Sequence, residues 1–190
     1  MPNKLILASK SPRRKELLMR IYPHHFDIIP SNIDESEIKY PSNELSAYCI
    51  SYKKGEDISS KYKDAYVLCA DTVVLINGEI LGKPKNESEA RKMLEEENEN
   101  IQEVYTGFHI FLNGKAIASR NCLSKVILHN LTIEKIDEYI KTGSPFDKAG
   151  AYGIQDFQKK DYTILEGSFE NIMGFPIYEI EEEFKKLNLL

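Results

Sequence analysis

The stretch "LILASKSPRRKELL", residues 5–18, passes from an apolar run through a polar corner at Ala8–Ser9 into a helix-like segment. Leu5–Ser9 reads as a buried strand. Ser11 is suited to cap a helix, Pro12 to start it, and the apolar spacing carries it to about Ile21. A strand that hands over to a helix in this way is the opening unit of an α/β fold. Arg13 and Arg14 fall in the first turn, at the positive end of the helix dipole, where a cation costs roughly a few tenths of a kcal/mol. Two readings stand: both guanidinium groups point into water, or they grip an anion such as a polyphosphate.

Working outward, Phe26–Ser31 has the pattern of a second strand, followed by the polar stretch Asn32–Ser36. Asn43 to about Tyr62 is helical, with Leu45, Tyr48, Cys49 and Tyr52 at helical spacing. Tyr66–Ala70 is a buried strand that ends at Asp71-Thr72. Asn77-Gly78 and Asn113-Gly114 each suit the tight turn of a β-hairpin. Asn86 caps a helix to about Asn98, with Glu89 at the capping-box position. A helix over Thr132–Thr142 stops at Gly143, Ser144–Gln158 is irregular, Tyr162–Glu166 is a short strand, and Pro176 opens a last helix. Alternating helices and strands together with two hairpins predict one α/β domain over residues 1–190, a mixed sheet with flanking helices.

The chain has 190 residues, 42% of them hydrophobic and 29% charged, ordinary for a soluble globular protein. A net charge of −5 argues against a general nucleic-acid binder. Cys49, Cys69 and Cys122 form no CxxC pair, as expected for reduced thiols in the cytoplasm. Leu5–Ala8 is too short for a signal-peptide core, and no apolar run reaches the roughly 18 residues of a membrane span. The sequons at Asn86 and Asn130 are then chance matches.

Several chemistries drop out. Gly78–Pro84 imitates a P-loop with one residue too few between the glycines and Pro84 where a hydroxyl is needed. There is no GxGxxG after the first strand and no GxSxG elbow. His24, His25, His109 and His129 have no metal-ligand spacing. Candidate carboxylates remain. Asp71 is placed where α/β sheets carry ligand-contacting groups, or is a turn residue. Asp34 and Glu35 belong to an exposed loop, or Glu35 joins Asp71 as an oxygen ligand of Mg²⁺. In "DKAGAYGIQ", residues 147–155, Gly150 and Gly153 permit close backbone approach, and Gln155 offers the donor and acceptor that a nucleobase edge needs; an irregular loop without ligand is the other reading.

In order, "LILASKSPRRKELL", "NIDES", "CADTVV", "LGKP", "EVYTG", "DKAGAYGIQ" and "GSFENIMGFP" resemble the Maf family of nucleoside-triphosphate pyrophosphatases, from about Leu5 to Ile177. The resemblance implies a two-lobed α/β fold similar to the inosine triphosphatase-like enzymes, with a central cleft. It implies hydrolysis of a nucleoside triphosphate to the monophosphate and pyrophosphate with a divalent cation, Mg²⁺ first and Mn²⁺ or Co²⁺ as alternatives. Asp71 matches the proton acceptor, with Glu35 and Lys83 beside it in catalysis and Glu35 and Asp71 on the metal. Arg13, Thr72 and Gln155 match positions of nucleotide choice; Ser9, Arg14, Lys53 and Lys83 match the polar cluster around the phosphates. AGAYGIQ resembles the branch acting on dTTP and UTP, with CTP or modified pyrimidine nucleotides as further substrates. Gln102 departs from the histidine common before "EVYTG", a change expected in local packing or substrate contacts. A nucleotide-binding regulator of septum formation is the alternative, a homodimer is compatible, and neither nucleic acid nor membrane is an expected partner.

Overall fold

Strand β1 (Leu5–Leu7) is buried at every position and pairs in parallel with β2 (Asp27–Ile28) on one side and β3 (Tyr66–Ile76) on the other. Its Ile6 lies opposite Asp27 and Val67. The computed structural model that shows this describes residues 4–190. Helix α1 (Pro12–Ile21) starts where the sequence places it: the Ser11 hydroxyl accepts from the Arg14 backbone N–H at 3.4 Å, and Pro12 occupies the first position. Leu17 and Leu18 are fully buried, each worth about 1.5–3 kcal/mol in transfer from water.

The remaining elements are α2 (Ser46–Lys61), β4 (Glu79–Leu81), α3 (Glu87–Glu97), β5 (Ile101–Leu112), β6 (Lys115–Leu128), α4 (Ile133–Lys141), β7 (Tyr162–Glu166), α5 (Phe169–Ile172) and α6 (Ile177–Lys186). They build the expected mixed α/β fold. Among the described residues its sheet has seven strands in the order β2-β1-β3-β5-β6-β7, with β4 antiparallel to β3 and β7 antiparallel to β6. Both Asn-Gly turns have positive φ at their two central residues, 51° and 81° at Asn77-Gly78 and 53° and 76° at Asn113-Gly114. That is the type I′ geometry whose twist matches the flanking strands.

Two elements differ from the sequence reading. Phe26–Ser31 pairs as a strand only at Asp27–Ile28, with one further bond from the Ile29 N–H to the Leu7 carbonyl at 3.1 Å. Asp71 lies inside a strand rather than beyond its end, since β3 runs unbroken from Tyr66 to Ile76. Neither Asp71 nor Thr72 removes a backbone donor. They are the half-buried pair between two fully buried runs, Val67–Ala70 and Val73–Ile76.

Backbone contacts divide the chain into two units. The first holds the chain up to Thr72, Thr106–Cys122 and Gly174–Leu190; the second holds Val73–Tyr105 and Leu123–Met173. In the first, Ile6, Ala8, Ile58, Ala65, Val67, Cys69 and Phe111 form a core. Helix α2 lies close to β5 there: a Cβ on Gly107 would stand 2.3 Å from the Tyr48 Cα. Buried His109 bonds the Tyr48 carbonyl at 2.9 Å and the Ser119 hydroxyl at 2.7 Å. Its Nε2 therefore carries the proton, and burial pushes its pKa down to about 4.

In the second unit Val74, Leu81, Ala90, Leu94, Val104, Val126, Ile136, Tyr152 and Ile154 belong to one core. Asn86 caps α3 by accepting from the Glu89 N–H at 2.9 Å. Glu89 reaches back to the Lys85 N–H, one residue before the capping-box position. Among the described residues, no helix is long and apolar enough to cross a membrane.

Candidate active site

The centre of the candidate site is Asp71, held within β3 of the first unit. Its Oδ1 stands 2.6 Å from the ammonium of Lys54, which also contacts Glu35 Oε1 at 2.7 Å. Asp71 and Lys54 are 16% and 15% exposed, whereas Glu35 is 51% exposed. Two carboxylates from segments 36 residues apart thus converge on one cation. Glu35 is presented by a short 3₁₀ turn, Glu35–Glu37, capped by the Asp34 side chain, which accepts from the Ser36 N–H at 2.9 Å. Asp34 is therefore a capping residue.

The family resemblance points to the adjacent Lys53, not Lys54, as the lysine near the phosphates. The structure sends Lys53 elsewhere: it pairs with Glu56 at 2.7 Å and lines an open depression of about 650 Å³ with Asp34, Glu37 and Lys39. Consecutive helical residues point about 100° apart, which turns Lys53 away from the inward stripe that Lys54 flanks. Buried Ser51, Gly55 and Ile58 define that stripe on α2. Lys54, three residues after Ser51 and four before Ile58, belongs to it. This spacing is the signal that separates the pair.

Arg14 reaches the same strand from α1. Its Nη1 donates to the Ala70 carbonyl at 2.6 Å and to the Ser9 hydroxyl at 3.4 Å. Its Nε donates to the Gly174 carbonyl at 2.9 Å and Nη2 to the Thr72 hydroxyl at 3.2 Å. The family resemblance implies a place at the phosphates for this guanidinium; four of its donors are directed to protein oxygens. Burial, and then neighbouring Arg13, pull its pKa below the ordinary value. Buried Ser9 also accepts from the Ser11 N–H at 3.2 Å, which leaves its own hydroxyl proton to donate. Thr72 exchanges a hydrogen bond with Thr106 at 3.0 Å. Arg13 is half-buried in the first turn of α1.

Lys83 and Gln155 belong to the second unit, where both are exposed. The Gly82 carbonyl, next to Lys83, accepts from the Gly150 N–H at 3.1 Å, which ties the LGKP segment to the loop that carries Gln155. That loop is pinned at Gly153 as well, whose N–H donates to the Tyr139 hydroxyl at 3.0 Å. Gln155 itself donates to Asp156 at 3.4 Å. Gln102 is fully buried: its Nε2 donates to the carbonyls of Glu97 and Asn100, and its Oε1 accepts from the Tyr152 hydroxyl at 3.0 Å. Its role here is to pack and anchor the loop.

A family model described as Maf-like protein matches residues 4–187. The chain belongs to the Maf family. Relatives named dTTP/UTP pyrophosphatase support the match. The one from Clostridium tetani is 41% identical, covering 97% of each chain. That from Carboxydothermus hydrogenoformans is 41% identical over 96% of this chain and 98% of its own. That from Pyrococcus furiosus is 42% identical over 93% and 92%. A HAM1 protein from Coxiella burnetii shares the fold of this Maf protein, with a TM-score of 0.56 at 12% identity, covering 96% of this chain and 98% of that one.

Proposed function

We propose that this Maf protein hydrolyses nucleoside triphosphates, dTTP and UTP first, to the monophosphate and pyrophosphate. The observation that carries the reading is the convergence of Asp71 and Glu35 on one cation, in a chain whose relatives bear the dTTP/UTP pyrophosphatase name. Among the described residues no three of His, Cys, Asp and Glu gather into a metal site. Two carboxylates already holding an ammonium fit Mg²⁺ nonetheless, because that ion takes one or two carboxylates and completes its shell with water and phosphate oxygens. Bound there, a divalent cation supplies charge neutralisation on the phosphates.

The chain's own groups do the rest. Asp71 orients a water and takes its proton as the water oxygen bonds to the α-phosphorus. The bond from that phosphorus to the α–β bridging oxygen breaks, and pyrophosphate leaves with the electron pair. Lys54 offsets the charge of Asp71 and Glu35, and the Ser9 hydroxyl donates to a phosphate oxygen. Lys83 is assigned to phosphate charge, and Arg13, Thr72 and Gln155 to nucleotide choice. No covalent nucleophile is required. The two carboxylates support Mg²⁺ as the cation, the three free cysteines support the cytoplasm as the compartment, and family likeness supports a homodimer.

The test is pyrophosphate release from dTTP, UTP, CTP, GTP and 7-methyl-GTP with Mg²⁺. Pyrimidine substrates should lead, and Asp71→Asn should lose about 10²–10⁴-fold in kcat while keeping its fold. Binding of dTTP with no pyrophosphate released by the wild-type protein makes it a regulator rather than an enzyme.

A further inference from the structure

We propose that Arg14 is a positioning residue for Asp71, its guanidinium clamping the strand on both sides of that carboxylate instead of gripping phosphate. The role rests on the reading of Asp71 as the general base. Ala70 and Thr72 immediately flank Asp71, and Arg14 holds both: Nη1 to the Ala70 carbonyl at 2.6 Å, Nη2 to the Thr72 hydroxyl at 3.2 Å. A third anchor comes from the segment before α6, where the Gly174 carbonyl accepts from Nε at 2.9 Å. The fourth contact is Ser9, at 3.4 Å from Nη1.

Four of the five guanidinium N–H groups are thereby committed to protein oxygens, two of them backbone carbonyls. A phosphate held side-on through Nε and Nη2 would take the donor of the Gly174 carbonyl, and one held end-on through Nη1 and Nη2 would compete with the Ser9 and Thr72 hydroxyls. The planar fork also explains why arginine stands here. Its three nitrogens reach four separate acceptors in fixed directions, one more than the three N–H groups of an ammonium can serve. With Ala70 and Thr72 held, the backbone that carries Asp71 is fixed at both neighbours, on the strand that presents its carboxylate to Lys54.

The test separates holding the base from holding the phosphates. Arg14→Lys is assayed for dTTP turnover and, by calorimetry, for affinity toward the non-hydrolysable α,β-imido-dUTP with Mg²⁺. A positioning role lowers kcat about 10²-fold and leaves the analogue Kd within about 3-fold. A drop of about 10²-fold in affinity with kcat at saturation unchanged overturns the role.

A second measurement needs no variant to fold. In the wild-type protein, the Arg14 Nε–H resonance should stay protected and unmoved when the analogue is added; a large shift with loss of protection overturns the role. A wild-type protein that releases no pyrophosphate sinks the pyrophosphatase reading and this role with it. Turnover by the wild type together with a displaced Nε–H signal sinks this role alone.

Discussion

Lys54 Nζ lies 2.6 Å from Asp71 Oδ1, while the lysine just before it turns away to Glu56. The two side chains are adjacent in sequence, and the surroundings of α2 give them different work. Lys54 offsets two carboxylates at once, one of them largely buried; Lys53 joins a half-exposed ion pair of the kind that contributes little. Lys54→Met should therefore cost about 10²-fold or more in kcat/KM, the scale for a group that balances charge at a reacting centre. Lys53→Met should stay within about 3-fold. Equal losses in the two variants, read by pyrophosphate release, would show that the ion pair does not mark the site.

Glu97 is fully buried, and neither carboxylate oxygen has a hydrogen-bond partner among the described residues. Burial pushes its pKa well above the ordinary 4.5, with Glu96 adding to the rise. The folded protein then keeps a proton that the unfolded chain releases above about pH 4.5. Stability from this group is complete below that pH and falls as pH rises through the folded pKa, by up to about 1.4 kcal/mol per pH unit. Glu97→Gln should flatten that part of the curve. Urea midpoints at about pH 5 and about pH 8 check it; an unchanged pH dependence in Glu97→Gln refutes the assignment.

Gly107→Ala should unfold the first unit readily. The added Cβ would fall 2.3 Å from the Tyr48 Cα and 2.5 Å from its N, and backbone cannot swing aside as a side chain can. The expected cost is about 3 kcal/mol or more, a fall of roughly 6–12 °C in Tm for a chain of this size. Gly82→Ala meets nothing within 4 Å and should leave Tm within about 2 °C. Calorimetric scans of the two variants decide it.

Much of the fold is legible in short windows. Ser11 and Pro12 announce α1, Asn86 announces α3, and each Asn-Gly pair supplies the two positive-φ residues of its hairpin. These are local effects, decided by cap hydrogen bonds and allowed backbone angles within four residues. Asp71 and Glu35 are legible as acidic candidates too, because a carboxylate between buried runs or in a polar turn stands out against its neighbours. The continuity of β3 through Asp71 is less so. A half-buried polar pair inside a strand looks like a strand end until the neighbouring strands are in place.

Spacing to Ser51, Gly55 and Ile58 tells Lys54 from Lys53 only once that stripe is known to face the core, and no short window shows that Arg14 spends its donors on Ala70, Thr72 and Gly174. Those outcomes depend on which stripe of α2 faces the core, and on bringing together groups 56 and 160 residues apart. Packing selects among side chains that local propensity treats as equivalent, since the sheet admits one register and the core one helix rotation. In "SPRR" the helix start follows from the serine and the proline alone. What the second arginine holds is settled by the strand and the turn that come to lie against it.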